Sequence, residues 1–251
     1  MAKRVYDEKI ALWTLLIYTT ATTFVINSRI GFAENLLTPL FLAGLLLFSA
    51  WRQKMTAAKS LALGVIAGLS IWTKELGVAV FFSLFFLFVT EKITIRALFV
   101  LTLTFLLFVA GYVAYGTYYD AQTFLAVIKT QASRPVGPEV LQMLLHTPII
   151  VNKPYPVDGW YFFGFLSFFF TFLDVKRHRL LLVPALTYFL LVLYSINKEG
   201  EMGWYMIPLF PFMAATAAHF LADGIKKGNW GIIVGLLFVG FGLLRGLFEP
   251  T

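Results

Sequence analysis

The sequence is built from apolar stretches of about 14 to 21 residues that alternate with polar segments, close to the length of a membrane-spanning helix. A bilayer core about 30 Å thick is crossed by about 20 apolar residues, with roughly 17 as the lower limit. Hydrophobic residues make up 59% of the chain and charged residues only 13%, against about 25% charged residues in a typical soluble domain. These values exclude a soluble globular domain, a disordered chain and a coiled coil, and a polytopic membrane protein remains.

The number of apolar residues needed for one crossing predicts nine membrane spans. They are Ile10–Ile26, Asn35–Ala50, Ala57–Thr73, Leu76–Thr90, Ile95–Tyr115, Trp160–Leu173, Leu180–Ile196, Trp204–Ala222 and Trp230–Phe248. As one helix, the stretch from Ala57 to Thr90 would be about 51 Å long. That is too long for one crossing, so we predict a hairpin with Lys74 and Glu75 at its apex. The predicted fold class is all-α: a polytopic membrane helix bundle of about nine spans, in which residues 1–251 form a single transmembrane domain.

The distribution of charge predicts the orientation of the bundle. With the N-terminus inside, the inside segments carry 13 basic and 5 acidic residues, and the outside segments carry 7 basic and 8 acidic residues. Because basic residues favour the cytoplasmic side, we predict a multi-pass protein of the cell membrane with a cytoplasmic N-terminus and an outside C-terminus. The net charge of +7 then reflects basic cytoplasmic loops, and we expect no nucleic-acid partner. The absence of cysteine excludes disulfides, thiolate metal sites and cysteine nucleophiles.

One predicted extracytoplasmic segment, residues 116–159, is far longer than the other loops, and long loops are often functional. Within it, residues 120–133 are predicted to form a helix with apolar side chains partly on one side. A second predicted helix begins at Pro138. We predict that both helices lie in the membrane interface.

Ionisable side chains at membrane depth are costly to bury and therefore indicate functional sites. The predicted topology brings several of them, with an aromatic pair, to the outer face. The candidate site residues are Glu34, Lys74, Glu75, Arg134, Trp204 and Tyr205. Cations suit a phosphate, a carboxylate suits acid–base chemistry, and aromatic rings suit a sugar or an acyl chain. The sequence thus predicts a site for a negatively charged, partly lipidic ligand at the outer mouth of the bundle.

Each candidate also has a simpler explanation. Glu34 would fit a helix-start carboxylate that is stabilised by the helix dipole. Lys74 and Glu75 would fit a solvated hairpin tip, and Arg134 is one of several bases in the long loop. The aromatic pair at 204–205 would fit an interfacial aromatic belt.

Two further patterns concern small residues and histidines. Gly64 and Gly68 have the small-xxx-small spacing that allows two helices to approach closely, although chance produces the same spacing in a glycine-rich membrane chain. His146, His178 and His219 are far apart and lack the spacing of metal ligands, so we predict no zinc site from them.

Three motifs follow one another along most of the chain: residues 28–35 (SRIGFAEN), residues 64–74 (GVIAGLSIWTK) and residues 204–211 (WYMIPLFP). In this order they resemble the acidic helix-start motif, the glycine-rich span ending in Thr-Lys, and the late aromatic–proline helix start of the dolichyl-phosphate-mannose–protein mannosyltransferase superfamily. That superfamily includes the aminoarabinose transferases of lipid A.

The resemblance implies the GT-C fold, a multi-spanning bundle with interfacial outer helices. It also implies transfer of a sugar from a polyprenyl-phosphate carrier in the lipid bilayer to a protein or glycolipid acceptor at the outer face. By position, it implies that Glu34 is an acidic residue near the active site, that Arg134 and Tyr205 contact the phosphate, and that Lys74 is a further cation. A divalent metal is neither required nor indicated, since the nearest position to the family's metal-linked histidine is Lys129.

The start of the chain departs from the family pattern. The family begins with further spans, and its first outer loop carries the principal catalytic carboxylate, but no acidic outer loop precedes Ile10. We therefore expect a fragment or a truncated chain, and the alternatives are a partner that supplies the missing half, or an inactive protein. A non-catalytic membrane subunit and a lipid or solute transporter are the alternative functions. The transporter is disfavoured because the sequence has no internal repeat and its ionisable residues lie mainly at helix ends.

Overall fold

The described part of the chain is helical, as the sequence predicts. The computed structural model describes residues 2–21, 24, 25, 29, 33–132, 159–195, 204–228, 235 and 240, and these residues contain no strand. The helices are α1 (Ala2–Val5), α2 (Glu8–Thr20), α3 (Ala33–Trp51), α4 (Ala57–Thr73), α5 (Val78–Thr90), α6 (Ile95–Ala132), α7 (Gly159–Phe170), α8 (Val175–Ser195) and α9 (Phe210–Lys227). Short 3₁₀ turns occupy Arg52–Lys54, Glu75–Gly77, Thr171–Asp174 and Trp204–Leu209.

Helices α3, α4 and α5 begin and end within two residues of the predicted spans. Helix α2 ends earlier than predicted, at Thr20, because Ala21 takes an extended conformation. The threonine hydroxyls at positions 19 and 20 donate hydrogen bonds to carbonyls one turn back, a contact that weakens a helix.

Helix α9 starts at Phe210, after a 3₁₀ turn, with a proline in its first turn, where a missing N–H costs little. The predicted span Trp230–Phe248 lies outside the described residues, apart from positions 235 and 240.

Three helices are long and apolar enough to cross a membrane by length and composition: Ala33–Lys54, Ile95–Thr130 and Tyr205–Gly224. The apolar helices at Ala57–Thr73 and Glu75–Thr90 are shorter. Large apolar side chains are exposed along α2 and α6, including Leu12, Leu15, Phe99 and Leu107. An extensive apolar surface of this kind is unfavourable in water and favourable in lipid. The protein is therefore membrane-associated, and the nine crossings and their orientation stay predictions.

Contacts divide the chain into two compact units, and the single transmembrane domain stays a prediction. The first unit comprises Met1–Asn35, Pro148–Ala185 and Met202–Thr251, and the second comprises Leu36–Thr147 and Leu186–Glu201. In the first unit, α9 packs against α2 and α7. Its residues 212–219 are all buried, so it forms the centre of this unit.

The core of the second unit includes α4, α5 and α6, with α4 and α6 in close contact. A methyl group added to Gly64 would lie 2.6 Å from Cβ of Thr104 and 3.0 Å from the Leu101 carbonyl oxygen. A methyl group on Gly68 would meet the Phe108 ring. The small-xxx-small spacing therefore lies at a close helix contact, which rules out the chance explanation.

Helix α6 is broken at Asp120, whose backbone is not helical (φ −161°, ψ 91°). The Asp120 carboxylate accepts hydrogen bonds from the Thr123 backbone N–H (3.0 Å) and hydroxyl (2.7 Å), which is the geometry of an N-cap. Tyr112 and Phe124 have ring centroids 5.8 Å apart, although twelve residues of straight helix would separate them by about 18 Å. The chain therefore turns back sharply, and the predicted helix from residue 120 is confirmed over its described part.

Candidate functional site

Glu34 occupies the first turn of α3 and is almost completely buried, with 1% of its surface exposed. Its position at a helix start agrees with stabilisation by the helix dipole. Its burial goes further than that explanation requires, because exposed carboxylates interact with a helix N-terminus as well. A carboxylate this deeply placed in an apolar unit needs polar partners, and it therefore remains the candidate acid or base of the site.

The predicted hairpin apex is a tight turn between α4 and α5. Lys74 ends α4 in an extended conformation, and its backbone N–H donates to the Ser70 carbonyl (3.2 Å). The Gly77 N–H donates to the Lys74 carbonyl (2.7 Å), and a side chain at Gly77 would collide with the Ser70 backbone. The turn therefore depends on glycine at this position and fixes the Lys74–Glu75 pair at one end of the second unit.

Aromatic side chains surround this turn. The Tyr112 hydroxyl donates to the Glu75 carboxylate (3.1 Å), and the Trp72 indole N–H donates to the Phe108 carbonyl (2.9 Å). The Trp72 ring lies 6.2 Å from the Tyr112 ring and 5.8 Å from the Tyr115 ring, and both Trp72 and Tyr115 are exposed. The turn therefore combines a cation, a carboxylate held by a tyrosine, and open aromatic faces. We name these five residues (Trp72, Lys74, Glu75, Tyr112 and Tyr115) the apex cluster.

Of the remaining candidate residues, the structure describes the side chain of Tyr205. Tyr205 is half-buried in the 3₁₀ turn Trp204–Leu209 of the first unit. Trp204 belongs to the same turn, but its side chain is outside the described part of the structure, and so is Arg134. Lys74 and Glu75, which are adjacent in the sequence, lie in the turn between α4 and α5. The convergence of these two with Glu34, Arg134, Trp204 and Tyr205 stays a prediction.

The opposite end of the α4–α5 hairpin carries basic residues. Arg52 lies 3.4 Å from the Glu91 carboxylate, and the Lys59 ammonium donates to the Lys54 carbonyl (2.7 Å). Lys92 follows at the end of α5. Within the second unit, charge is thus separated between a basic end and the apex cluster. The positive-inside rule predicts that the basic end faces the cytoplasm.

A second polar cluster, which the sequence did not predict, lies in the first unit. The Tyr6 hydroxyl is 2.7 Å from Nδ1 of His178, and the Tyr6 ring stacks on His219 at 4.4 Å between centroids. The two imidazole centroids are 5.0 Å apart, and each histidine is 4% exposed. We name Tyr6, His178 and His219 the histidine cluster.

The electrostatics of the histidine cluster favour uncharged rings. Burial raises the pKa of the Tyr6 phenol, so the phenol keeps its proton. Its hydroxyl and Nδ1 of His178 form a hydrogen bond whose direction depends on the tautomer of the ring. Burial also lowers the pKa of His178 below its ordinary value of 6.5, and Arg177 lowers it further, while Asp174 acts in the opposite direction. Nδ1 of His219 is buried and has no hydrogen-bond partner among the residues that the structure describes.

The sequence contained a weak signal for this cluster, since the predicted topology already places Tyr6, His178 and His219 on the cytoplasmic side. Spacing could not reveal their contact, because 172 positions separate Tyr6 from His178.

A metal site needs several histidine or carboxylate side chains close together. Within the described ranges, no three histidine or carboxylate side chains are grouped as ligands of a metal ion. The two imidazoles of the histidine cluster alone make an incomplete ligand set, since structural and catalytic zinc sites use at least three protein ligands.

No model of a protein family matches the sequence, and no curated protein and no solved structure matches it.

Proposed function

We propose that this chain is a membrane glycosyltransferase that moves a sugar from a polyprenyl-phosphate carrier to a protein or glycolipid acceptor. The proposal draws on the three sequence motifs and on the membrane character of the helices. It places the sugar-transfer site at the non-cytoplasmic end of the bundle.

The apex cluster is the single observation that supports the proposal most. Lys74 and Glu75 stand at the end of an apolar hairpin, with Tyr112 holding Glu75 and with two exposed aromatic rings beside them. A lipid-linked sugar phosphate needs an apolar surface for its isoprenoid chain, a cation for its phosphate and flat rings with hydrogen-bonding groups for its sugar. The cluster supplies each of these groups at one helix end.

The proposed reaction is a displacement at the anomeric carbon of the carrier-linked sugar. An acceptor hydroxyl attacks this carbon and forms the new glycosidic bond, while the bond from the carbon to the phosphate oxygen breaks. Glu34 accepts the proton of the hydroxyl as general base, and the polyprenyl phosphate leaves with the bond's electron pair. Lys74 and Arg134 stabilise the growing charge on the phosphate, and Trp204 and Tyr205 contact the carrier. Attack from the opposite face inverts the anomeric configuration.

The test is a transfer assay. Membranes that contain the full chain are incubated with radiolabelled polyprenyl-phosphate sugars, and label is followed into protein and glycolipid fractions. We expect label to appear in an acceptor and to be lost in the Lys74→Gln variant. The matched control is Lys54→Gln, which removes an exposed lysine from the basic end of the same hairpin.

Two results would contradict the proposal. One is the absence of transfer together with the absence of carrier binding, which would favour the alternative of a non-catalytic subunit. The other is movement of labelled lipid between leaflets without any transfer, which would favour a transporter.

A further inference from the structure

The Tyr6 side chain connects the N-terminal segment of the first unit, residues 2–7, to α8 and α9. Tyr6 contacts two histidines from distant parts of the chain, with a hydrogen bond to His178 and a ring stack on His219. Both histidines are almost fully buried. The position of this segment therefore depends on the state of two imidazole rings, which the proposed glycosyl transfer does not use.

These rings are neutral when the cluster is closed. The Tyr6 hydroxyl and Nδ1 of His178 share a hydrogen bond of 2.7 Å, in which the hydroxyl donates or accepts according to the tautomer of the ring. A proton taken up by the unpartnered Nδ1 of His219 would place a charge in a buried site, and protonation of both rings would put two like charges 5.0 Å apart. Burial and like charge both oppose protonation.

Charged groups on the elements around the cluster influence whether the two histidines are neutral or protonated. Arg177 adds a third positive charge at the start of α8, while the carboxylates come from three different places: Asp7, Asp174 and Asp223. Helix α7 has no charged residue, and the charged pair Glu8 and Lys9 at the start of α2 is exposed. The three carboxylates offset the cost of one protonated histidine better than the cost of two. Both charged forms of the cluster are less favourable than the neutral form in the closed state.

We propose that the histidine cluster is a proton-sensitive latch, which holds the N-terminal segment against α8 and α9 at neutral pH and releases it when the histidines are protonated. A released segment exposes both imidazoles to water, where they bind protons more readily, and acid therefore favours the open state by linkage. The ligand of this site is the proton, and on the predicted topology the latch senses cytoplasmic pH. The inference does not rest on the proposed glycosyl transfer.

The test uses the absence of cysteine from the chain, which allows single-cysteine reporters. Ala2→Cys reports opening, because Ala2 is buried with 9% exposure. Arg4→Cys, at an exposed position of the same segment, is the matched control. The ratio of their thiol-modification rates cancels the effect of pH on the reagent. We expect this ratio to rise by about fivefold or more between about pH 7.5 and about pH 5.5, where histidine titrates.

The variants decide whether the histidines cause the rise. The double variant His178→Gln, His219→Phe keeps an aromatic ring under Tyr6 and removes both titrating groups, and we expect a ratio that does not change with pH. His146→Gln, which removes the third histidine, should keep the full rise. A constant ratio in the reporter proteins with native histidines overturns the proposal, and so does a full rise in the double variant. If the double variant is already open at about pH 7.5, each single variant is measured instead, and an undiminished rise in both overturns the proposal.

Discussion

At the scale of single residues, the candidate site depends most on Glu34. This residue is 1% exposed at the start of an apolar helix, where burial of a polar group is costly. In the proposed reaction it removes a proton from the acceptor hydroxyl, which an amide cannot do.

We therefore expect Glu34→Gln to reduce transfer by at least about a hundredfold, within the range that general acid–base catalysis contributes. The measurement is the initial rate of label transfer at equal amounts of inserted protein. Arg134→Ala should have the same effect without any change in membrane insertion. Unchanged rates in both variants would remove these residues from the site.

His178 makes the stability of the first unit depend on pH. Burial lowers the pKa of His178 in the folded protein, and the positive charge of Arg177 lowers it further, while the negative charge of Asp174 raises it. Its neutral form therefore adds stability that is fully present above the unfolded pKa of about 6.5 and is lost as pH falls through the folded pKa.

We expect the unfolding temperature in detergent to fall between about pH 7.5 and about pH 5.5 in the native protein, since the unfolded histidine takes up a proton in this range. The fall should be smaller in His178→Gln. Thermal unfolding followed by tryptophan fluorescence measures both proteins, and a larger fall in the variant would contradict the assignment.

At the scale of helices, the α4–α6 contact rests on Gly64, because an added methyl group would lie 2.6 Å from Thr104 and 3.0 Å from a backbone oxygen. We expect Gly64→Ala to lower the free energy of unfolding by about 1–3 kcal/mol, the usual range for overpacking. The matched control is Gly44→Ala in α3, where the nearest atom to the new methyl group is 3.5 Å away.

Denaturant unfolding in mixed micelles compares the two glycine variants. The control should be neutral or slightly stabilising, since alanine favours the helix. Equal losses in the two variants would show that the α4–α6 contact is not the reason for glycine at position 64.

The break in α6 depends on the capping carboxylate of Asp120. Asp120→Ala removes the cap, and we expect backbone amides in residues 121–132 to exchange with deuterium several-fold faster. Asp120→Asn retains a capping side chain and should preserve most of the protection. Hydrogen exchange read by mass spectrometry distinguishes the two, and identical exchange in both variants would contradict the capping role.

At the scale of the whole molecule, the sequence predicted local features better than distant contacts. The hairpin apex at Lys74 and Glu75 followed from the length of a helix against the thickness of a bilayer, and a polar break marked its place. The early end of α2 at Thr20 was missed, because apolar content continues to Ile26 while the threonine run weakens the helix. The length of an apolar stretch reflects its hydrophobicity, but it does not reflect the weakening of the helix by threonine.

Contacts between distant residues could not be predicted in the same way. Tyr6 contacts His178 and His219 through the packing of distant parts of the first unit, which the pattern of a single sequence does not reveal. The catalytic candidates are a similar case. The motifs contain Glu34, Lys74 and Tyr205, the long loop adds Arg134, and it stays a prediction that these residues contact one ligand.

The most direct test of the account maps where the carrier binds. A polyprenyl phosphate with a photoreactive group beside its phosphate is incorporated with the full chain into lipid nanodiscs, irradiated, and located by mass spectrometry of the labelled peptides. We predict labelling of the apex cluster around Lys74 and of the peptide that contains Glu34, with both signals suppressed by excess unlabelled polyprenyl phosphate. Labelling confined to the basic end around Arg52 and Lys92, or labelling that excess carrier does not suppress, would contradict the proposed site.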